Sequence, residues 1–394
     1  MFNNKKKVKI GIVTLPLHIN FGGFLQNYAL QQVLLKMGYE PITLNQRPIP
    51  RSARSQLIAN ANSNLKTLAL TLLGRKGDRT YAHYHGTELR PVLWKNSTYF
   101  YDTYIRHTES LNPNVDFEGI SQRLNLGALI VGSDQVWRPR YVENLNTMYL
   151  GFEKDRNVRK IAYAASIGTD DWEYTKEQTS ECSVLASQFD LLTVREKSTV
   201  DNVKQHLGVK ADFALDPTLL LDKEDYIKIV EEQKEPVSEG NLFCYILDID
   251  NNKKRVIKEV EQSLGLKSFN VNIGENTTPY KESYILKNLS RFQNPTITKW
   301  LRGFMDAEMV IADSFHAVAF SIIFNKPFWV IGNKGRGMAR FESILSLFNL
   351  TNRLLDANNL TDVDWKAPID WTFVNVERKS LAEHSLTLLL NSLK

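Results

Sequence analysis

Three segments of the sequence hold side chains that could act on a small charged substrate, and each follows a short apolar run. In ALIVGSDQVW, Asp134 and Gln135 come just after the apolar run that ends at Val131. Here Asp134 could act as a base, and Gln135 could bind substrate as a neutral hydrogen-bonding group. Ser133 and Asp134 could instead cap a following helix, and the residues alone favour capping.

The second segment, VIADSFHAVAF, places Ser314 and His316 between an apolar strand and a helix. A histidine near a helix N-terminus lies beside amides that can hold an anion, and the helix dipole disfavours its charged form. His316 is therefore a candidate acid or base, with Ser314 as a candidate substrate contact. A purely structural histidine is equally compatible with this position.

Basic residues provide the third set of candidates. Arg195 follows the apolar run 191–194, and its planar guanidinium could bind a carboxylate or phosphate with two hydrogen bonds. A salt bridge to Glu196 would explain it equally well. In NKGRGMARFESIL, Lys334, Arg336 and Arg340 surround two glycines, which suits either a phosphate-binding loop or a solvated basic loop.

The motif DID at residues 248–250 resembles the metal-binding motif of some glycosyltransferases. It lies between a predicted strand and a predicted helix, where an acidic residue commonly serves as an N-cap. We therefore predict a helix cap here and no metal site. Cys182 and Cys244 lie far from other metal-binding residues, which argues against a zinc site or a disulfide framework.

Short apolar strands alternate with helices along the chain, which predicts parallel sheets covered on both faces. A polar stretch at 231–240 interrupts the alternation and is predicted to be a linker. We predict two Rossmann-like domains, 1–230 and 231–394, that face a cleft in a GT-B-like arrangement, and the terminal helix can pack back on the first domain. The predicted strands are 8–15, 41–44, 127–131, 160–166, 191–194 and 213–215 in the first domain, and 242–247, 268–273, 309–312 and 328–331 in the second.

Residues 50–120 form an insertion that we predict to be helical and basic. Between residues 51 and 91 it has seven basic and two acidic residues. Two interpretations are open: a helix packed on the N-terminal domain with a solvated basic end, which is favoured, or a helix that docks on the anionic inner membrane surface. The apolar residues at helical spacing are Leu57, Ile58, Leu65, Leu68, Leu72 and Leu73.

Composition places the chain among ordinary globular proteins. Its 394 residues favour two domains, and the 43% hydrophobic and 24% charged residues suffice for a full core. No run reaches 18 apolar residues, and the N-terminus resembles a first strand more than a signal peptide. We expect a cytoplasmic protein, with peripheral contact at the inner membrane face as the alternative, and no nucleic-acid partner.

Taken in order, several motifs resemble those of the polysaccharide pyruvyl transferases: NFGGFLQNYALQQVLLKMGY, GALIVGSDQVW, KIAYAASIG, VREKS, ALDPTLLL, DSFHAVAFSIIFNKPF and RGMARFESILSLFNL. The resemblance covers nearly the whole chain and is weakest across residues 50–120. It implies that a pyruvyl group is transferred from phosphoenolpyruvate, the donor substrate, to a glycan or a lipid-linked oligosaccharide, where it forms a ketal, without a cofactor. By this resemblance His316 acts on the donor and Arg195 holds it. We assign the acceptor side to the N-terminal domain, with Asp134 as the base for the sugar hydroxyls.

One position departs from the family pattern. Some members have an arginine two residues before the histidine, where this chain has Ser314, and Arg336 or Arg340 could replace it. Two other functions stay open: a GT-B glycosyltransferase with a nucleotide-sugar donor, or a noncatalytic glycan-binding protein of a capsule pathway.

Overall fold

The computed structural model describes residues 7–17, 19–46, 53–73, 89–272, 274, 277, 280, 282–332, 338–360 and 363–394. Two parallel sheets organise these residues. From one edge to the other, the six strands of the first sheet are Glu40–Thr43, Lys9–Val13, Leu126–Asp134, Arg159–Ala165, Leu191–Val194 and Asp212–Phe213. The five strands of the second sheet are Leu354–Leu355, Phe328–Ile331, Met309–Ala312, Leu242–Tyr245 and Ser268–Phe269. The predicted fold class, two parallel-sheet α/β units in a GT-B-like arrangement, is confirmed.

The first unit contains β1 (Lys9–Val13), α1 (Phe21–Lys36), β2 (Glu40–Thr43), α2 (Ala53–Leu72), α3 (Arg90–Leu93), α4 (Lys95–Tyr104), α5 (Pro113–Asp116), α6 (Ile120–Leu124), β3 (Leu126–Asp134), α7 (Leu145–Met148), β4 (Arg159–Ala165), α8 (Lys176–Ala186), β5 (Leu191–Val194), α9 (Lys197–Leu207), β6 (Asp212–Phe213) and α10 (Lys223–Glu232).

The second unit contains β7 (Leu242–Tyr245), α11 (Asn251–Leu264), β8 (Ser268–Phe269), α12 (Glu282–Lys287), α13 (Leu289–Phe292), α14 (Ile297–Asp306), β9 (Met309–Ala312), α15 (Phe315–Ile323), β10 (Phe328–Ile331), α16 (Ala339–Leu347), β11 (Leu354–Leu355) and the terminal helix α17 (Trp371–Leu393). The exact boundary between the domains, placed at residue 230 from the sequence, stays a prediction.

Strand β3 differs from the sequence prediction in a way that matters for the site. It was predicted to end at Val131 but continues through Ser133 to Asp134. The favoured interpretation that Ser133 or Asp134 caps a helix is therefore wrong. The next helical turn, Pro139–Tyr141, begins only after Arg138. Both polar residues belong to the strand end itself.

The two sheets are joined by a continuous hydrophobic core. The ring of Phe21, at the start of α1, lies 6.2 Å from that of Tyr245 and 5.9 Å from that of Trp300. Tyr226 of α10 packs edge-on against Phe320 of α15, with ring centroids 4.8 Å apart. Aromatic pairs of this kind add to the free energy gained by burying their area. The core therefore holds the two units against each other.

The apolar face of helix α2 is exposed to solvent, opposite to the favoured prediction. Five of its large apolar side chains are exposed, and two of them, Leu65 and Leu72, are 64% and 79% accessible. The interpretation that this apolar face packs on the N-terminal domain is therefore wrong. None of the helices in the described ranges is long and apolar enough to cross a membrane.

The terminal helix α17 packs against the first unit. Arg378 Nη1 donates to the carbonyl oxygens of Leu219 and Leu221, at 3.1 and 2.9 Å. Its Nη2 donates to Asp222 Oδ1 at 2.6 Å. These acceptors belong to the chain segment just after β6. Because Arg378 is 7% exposed, its guanidinium fixes this segment from the inside.

Replacing Arg378 should loosen that segment. Arg378→Ala leaves buried carbonyl oxygens without their donor, which costs about 1–3 kcal/mol each. We expect a lower free energy of unfolding in urea, and the matched control Lys379→Ala, exposed on the same helix, should match the wild type. Equal stability of Arg378→Ala and the wild type would contradict this role.

Candidate active site

Polar side chains from both units meet where the strands of the first sheet end. Asp134 ends β3, Arg195 directly follows β5, and Asp216 lies just after β6. Because β3, β4, β5 and β6 are parallel neighbours, their carboxyl ends share one edge of the sheet. His316 reaches this edge from the first turn of α15 in the second unit. The site is therefore built from both units.

The end of β3 has a backbone that only particular residues allow. Gly132 has a φ of 123°, and a Cβ there would lie 2.1 Å from the carbonyl oxygen of Tyr163. Asp134 has a φ of 72°, in the left-handed region. This backbone turns the Asp134 side chain toward the neighbouring strand ends, and a glycine at position 132 is required for it.

Ser133 connects β3 to the surrounding elements. Its backbone N–H donates to Gln26 Oε1 of α1 at 2.9 Å. Its hydroxyl lies 2.9 Å from the carbonyl oxygen of Ala164 and 3.1 Å from Asp216 Oδ2. Ser133 is fully buried, so these contacts are shielded from solvent. They fix the strand end beside Asp216.

Arg195 occupies the centre of the site and is surrounded by three carboxylates. Its Nη1 lies 3.0 Å from Asp216 Oδ2, its Nε 3.3 Å from Glu196 Oε1, and its Nη2 3.5 Å from Asp134 Oδ1. The guanidinium lies over the ring of Phe315, 4.1 Å from the centroid. Burial would lower the pKa of Arg195, but the carboxylates outweigh burial and raise the pKa above its usual range.

Asp216 links Arg195 to His316. His316 Nε2 lies 3.7 Å from Asp216 Oδ2, close enough for an ion pair but too far for a hydrogen bond. Asp216 Oδ1 accepts from both the backbone N–H and the hydroxyl of Thr218, at 3.0 and 2.8 Å. Burial would raise the pKa of Asp216, but His316, Arg195 and Thr218 together lower it below its usual range. Asp216 is therefore a carboxylate at neutral pH.

The imidazole of His316 packs directly on helix α1. A Cβ on Gly22 would lie 2.0 Å from His316 Nδ1, so only glycine leaves room for the ring. The His316 side chain is 8% exposed. The ring is thus placed between Gly22 of the first unit and Asp216, which explains the glycine pair of the NFGG motif in part.

Two further residues lie around Asp134. Asn20 Nδ2 donates to Asp134 Oδ2 at 3.4 Å. Arg340 of α16 is 7% exposed and lies within the electrostatic range of Arg195, Asp134 and Glu196. Burial, followed by the positive charge of Arg195, lowers the pKa of Arg340 to about 10, so its guanidinium remains charged at neutral pH. Arg340 thus brings a second cation to the carboxylates.

The other predicted site residues lie in different surroundings. Gln135 Oε1 accepts from Arg138 Nη1 at 3.2 Å, and Arg138 also forms an ion pair with Glu173 at 2.9 Å. Ser314 occupies the N-cap position of α15, where its side chain makes no capping hydrogen bond. The predicted substrate contacts Lys334 and Arg336 lie outside the described residues. The roles assigned to these four residues stay predictions.

Sequence reasoning did not assign Asp216, Glu196 or Gly22 to the site. Asp216 had a usable signal, because an acidic residue right after a predicted strand falls at the ligand edge of a parallel sheet. Glu196 was considered only as a salt-bridge partner of Arg195, and that pair is present at 3.3 Å. The position of Gly22 against His316 had no signal in a single sequence.

Two acidic residues of the second unit have structural contacts. Asp313 accepts from Leu247 N and Lys253 Nζ, both at 2.7 Å. Asp250 accepts from Lys253 N at 2.9 Å, so the predicted N-cap of the DID motif is confirmed. In the part of the chain that the structure describes, no group of three or more His, Cys, Asp or Glu side chains is placed to hold a metal ion.

The sequence profile of the family described as polysaccharide pyruvyl transferase matches residues 20–335. The chain belongs to the polysaccharide pyruvyl transferase family. The matched region includes Asp134, Arg195, Asp216 and His316, while Arg340 follows it. No curated protein matches the chain.

Several solved structures are similar to this pyruvyl transferase family member. Arabidopsis thaliana UGT89C1 complexed with UDP-L-rhamnose is 9% identical, with 99% of this chain and 100% of that chain covered and a TM-score of 0.47. The S. aureus MnaA–UDP co-structure is 12% identical, with coverage of 97% and 90% and a TM-score of 0.46. An uncharacterized protein of Klebsiella pneumoniae is 11% identical, with coverage of 88% and 92% and a TM-score of 0.42.

The pKa of Asp216 leads to a stability prediction for this family member. A carboxylate whose pKa is lowered by folding stabilises the fold above its unfolded-state pKa of about 3.9 and loses that contribution as pH falls further. Asp216→Asn should therefore cost about 3–5 kcal/mol near pH 7, because it leaves Arg195 and His316 with one buried carboxylate fewer. The deficit relative to the wild type should shrink below about pH 4.

Urea unfolding at a series of pH values measures this difference. Asp201→Asn, exposed on α9, is the matched control and should leave stability unchanged at each pH. A deficit for Asp216→Asn that grows as the solution is acidified would have the wrong sign and refute the argument.

Proposed function

We propose that this protein places a pyruvate ketal on a sugar of a bacterial surface polysaccharide or its lipid-linked precursor, with phosphoenolpyruvate as donor and phosphate as product. The observation that supports it most is the family match over residues 20–335, which includes the histidine and carboxylate cluster between the two units. Capsular polysaccharide and exopolysaccharide are the polymer classes that we propose as acceptors.

The proposed reaction needs an acid, a base and cations. The methylene carbon of phosphoenolpyruvate takes a proton, and positive charge develops at the adjacent carbon. One sugar hydroxyl attacks that carbon, a second hydroxyl displaces the phosphate to close the ketal, and both hydroxyl protons are released. The protein's task is to deliver the first proton, accept the hydroxyl protons and neutralise the leaving phosphate.

His316 is the proposed acid. Its ring is oriented by the Asp216 carboxylate at 3.7 Å and by Gly22, and it reaches the shared edge from the second unit. A charged imidazole beside an ionised carboxylate is favourable in a site with little solvent. The carboxylate beside the ring supports His316 as the proposed proton donor.

Asp134 is the proposed acceptor-side base. Its two oxygens face Arg195 at 3.5 Å and Asn20 at 3.4 Å, distances that leave these contacts weak. A carboxylate held by two weak partners can exchange one of them for a sugar hydroxyl. Gln135 follows in the chain and is the neutral group proposed beside the acceptor.

In this proposal several basic residues together bind the anionic donor. A direct contact between Arg195 and phosphoenolpyruvate stays a prediction, since three carboxylates and the Phe315 ring already surround its guanidinium. We therefore propose that Arg195 acts as a positioning residue, and that Arg340, a second buried cation near the carboxylates, takes up the donor's negative charge. Arg340 would thus stand in for the family arginine that Ser314 replaces, with Lys334 and Arg336 as further contacts.

We place the reaction in the cytoplasm, where phosphoenolpyruvate is made, and at the inner membrane face if the acceptor is lipid-linked. Phosphate release from phosphoenolpyruvate, with a panel of free and lipid-linked glycans, tests the function. A glycosyltransferase would instead consume a nucleotide sugar, and a noncatalytic glycan-binding protein would release no phosphate.

Removing the proposed acid should nearly abolish turnover. His316→Gln keeps a similar volume but provides no acid, so phosphate release should fall by about 100-fold to 10,000-fold. The melting temperature should stay within about 2–4 °C of the wild type, which corresponds to roughly 1 kcal/mol or less for domains of this size. Full activity of this variant would exclude His316 as the acid.

Helix α1 offers a matched pair of variants that tests the placement of the ring. Gly22→Ala puts a methyl group into the imidazole, which must move, and should lower phosphate release at least about 100-fold. At Gly23 an added Cβ meets its nearest atom at 3.3 Å, so Gly23→Ala should keep most activity. Both changes have the same effect on helix propensity. Similar activities of the two variants would disprove the contact's importance.

A further inference from the structure

Helix α2 exposes a continuous apolar stripe. Because successive residues of an α-helix are about 100° apart, five of its large apolar side chains fall within roughly one 100° sector of the helix surface. Their accessible fractions range from 46% to 79%. A stripe of this width normally faces a protein core. The residues are Leu57, Ile58, Leu65, Leu68 and Leu72.

The covered side of α2 is polar instead. Asn60 is 8% exposed and Thr67 is fully buried. The hydroxyl of Thr71 donates to the carbonyl oxygen of Thr67 at 2.7 Å, one turn away. A soluble amphipathic helix covers its apolar face, whereas α2 covers a mainly polar face that includes half-buried Leu70 and directs its other leucines at solvent.

Charge indicates which partner covers the leucine stripe. Helix α2 contains Arg54 and Lys66 and no acidic residue. Across residues 51–91 the insertion has seven basic residues against two acidic ones. A second copy would bring this same positive charge against itself, which is unfavourable at short range. An anionic surface has the opposite sign and is complementary.

We propose that the leucine stripe of α2 docks flat on an anionic lipid bilayer. Its 20 residues span about 30 Å, and its leucines would enter the boundary between headgroups and acyl chains to a depth of about 5–10 Å. Basic residues near the surface strengthen the attraction to anionic lipid. If the proposed function is right, this docking brings the site close to a lipid-linked acceptor. The membrane binding itself does not depend on the enzymatic activity.

Co-sedimentation with vesicles tests the docking with the full chain. Vesicles of phosphatidylcholine with about 30% phosphatidylglycerol should bind the wild type, and high salt should weaken this binding. The triple variant Leu65→Gln, Leu68→Gln and Leu72→Gln should bind at least about tenfold more weakly. Lys66→Glu alone should weaken binding less, about threefold to tenfold.

A matched control replaces exposed apolar residues elsewhere on the surface. Val184 and Val376 are 62% and 64% accessible, so Val184→Gln with Val376→Gln changes exposed apolar area away from α2. This variant should bind vesicles like the wild type. Equal loss of binding in the control and the triple variant would overturn the assignment to α2, and so would wild-type binding that is as strong to pure phosphatidylcholine.

Two further outcomes would also overturn the proposal: no binding of the wild type to anionic vesicles, or a wild-type dimer in sedimentation velocity that the triple variant dissociates. The dimer would make a second copy the partner. Phosphate release with a short water-soluble acceptor separates this test from that of the proposed function, because the triple variant should retain it fully. Vesicle binding by a wild type that releases no phosphate would refute the function and leave the docking surface supported.

Discussion

The buried guanidinium of Arg195 is the interaction on which the site depends. It touches the ends of three strand segments through Asp134, Glu196 and Asp216, and the second unit through Phe315. Charges removed from water are costly unless they are paired, so each of these groups keeps the others in place. The exact placement of the strand ends follows from this pairing as much as from the sheet.

The balance of charges around Arg195 also bears on the proposed proton transfer. Three carboxylates surround Arg195, and Arg340 brings a second guanidinium within their range. A protonated His316 would complete the neutralisation. In the proposed reaction His316 gives up that proton, which would leave the cluster with an excess of negative charge and favour uptake of a proton from an attacking hydroxyl. The same residues that hold the site together can therefore support a proton cycle.

The sequence predicted a large part of this site because the residues lie at strand ends. Asp134, Arg195 and His316 each follow a recognisable apolar run, and parallel strands bring such positions to one edge. Two predictions were wrong, the covered face of α2 and the capping role of Asp134, because both depend on contacts and chain geometry that the local sequence does not contain. Periodicity shows which residues of α2 share a face but not which face the protein covers, and capping of a helix by Asp134 presupposed a helix that is absent there.

Two adjacent residues at the start of helix α1 connect the core between the units with the candidate active site. Phe21 belongs to the aromatic core between the units, next to Tyr245 and Trp300, while Gly22 supports the His316 ring. A displacement of one unit against the other thus changes both contacts together, within a single turn of helix. The orientation of the His316 imidazole therefore depends on how the two sheets pack against each other. If His316 is the acid, as proposed, substitutions in the aromatic interface can alter proton transfer although none of its rings takes part in it.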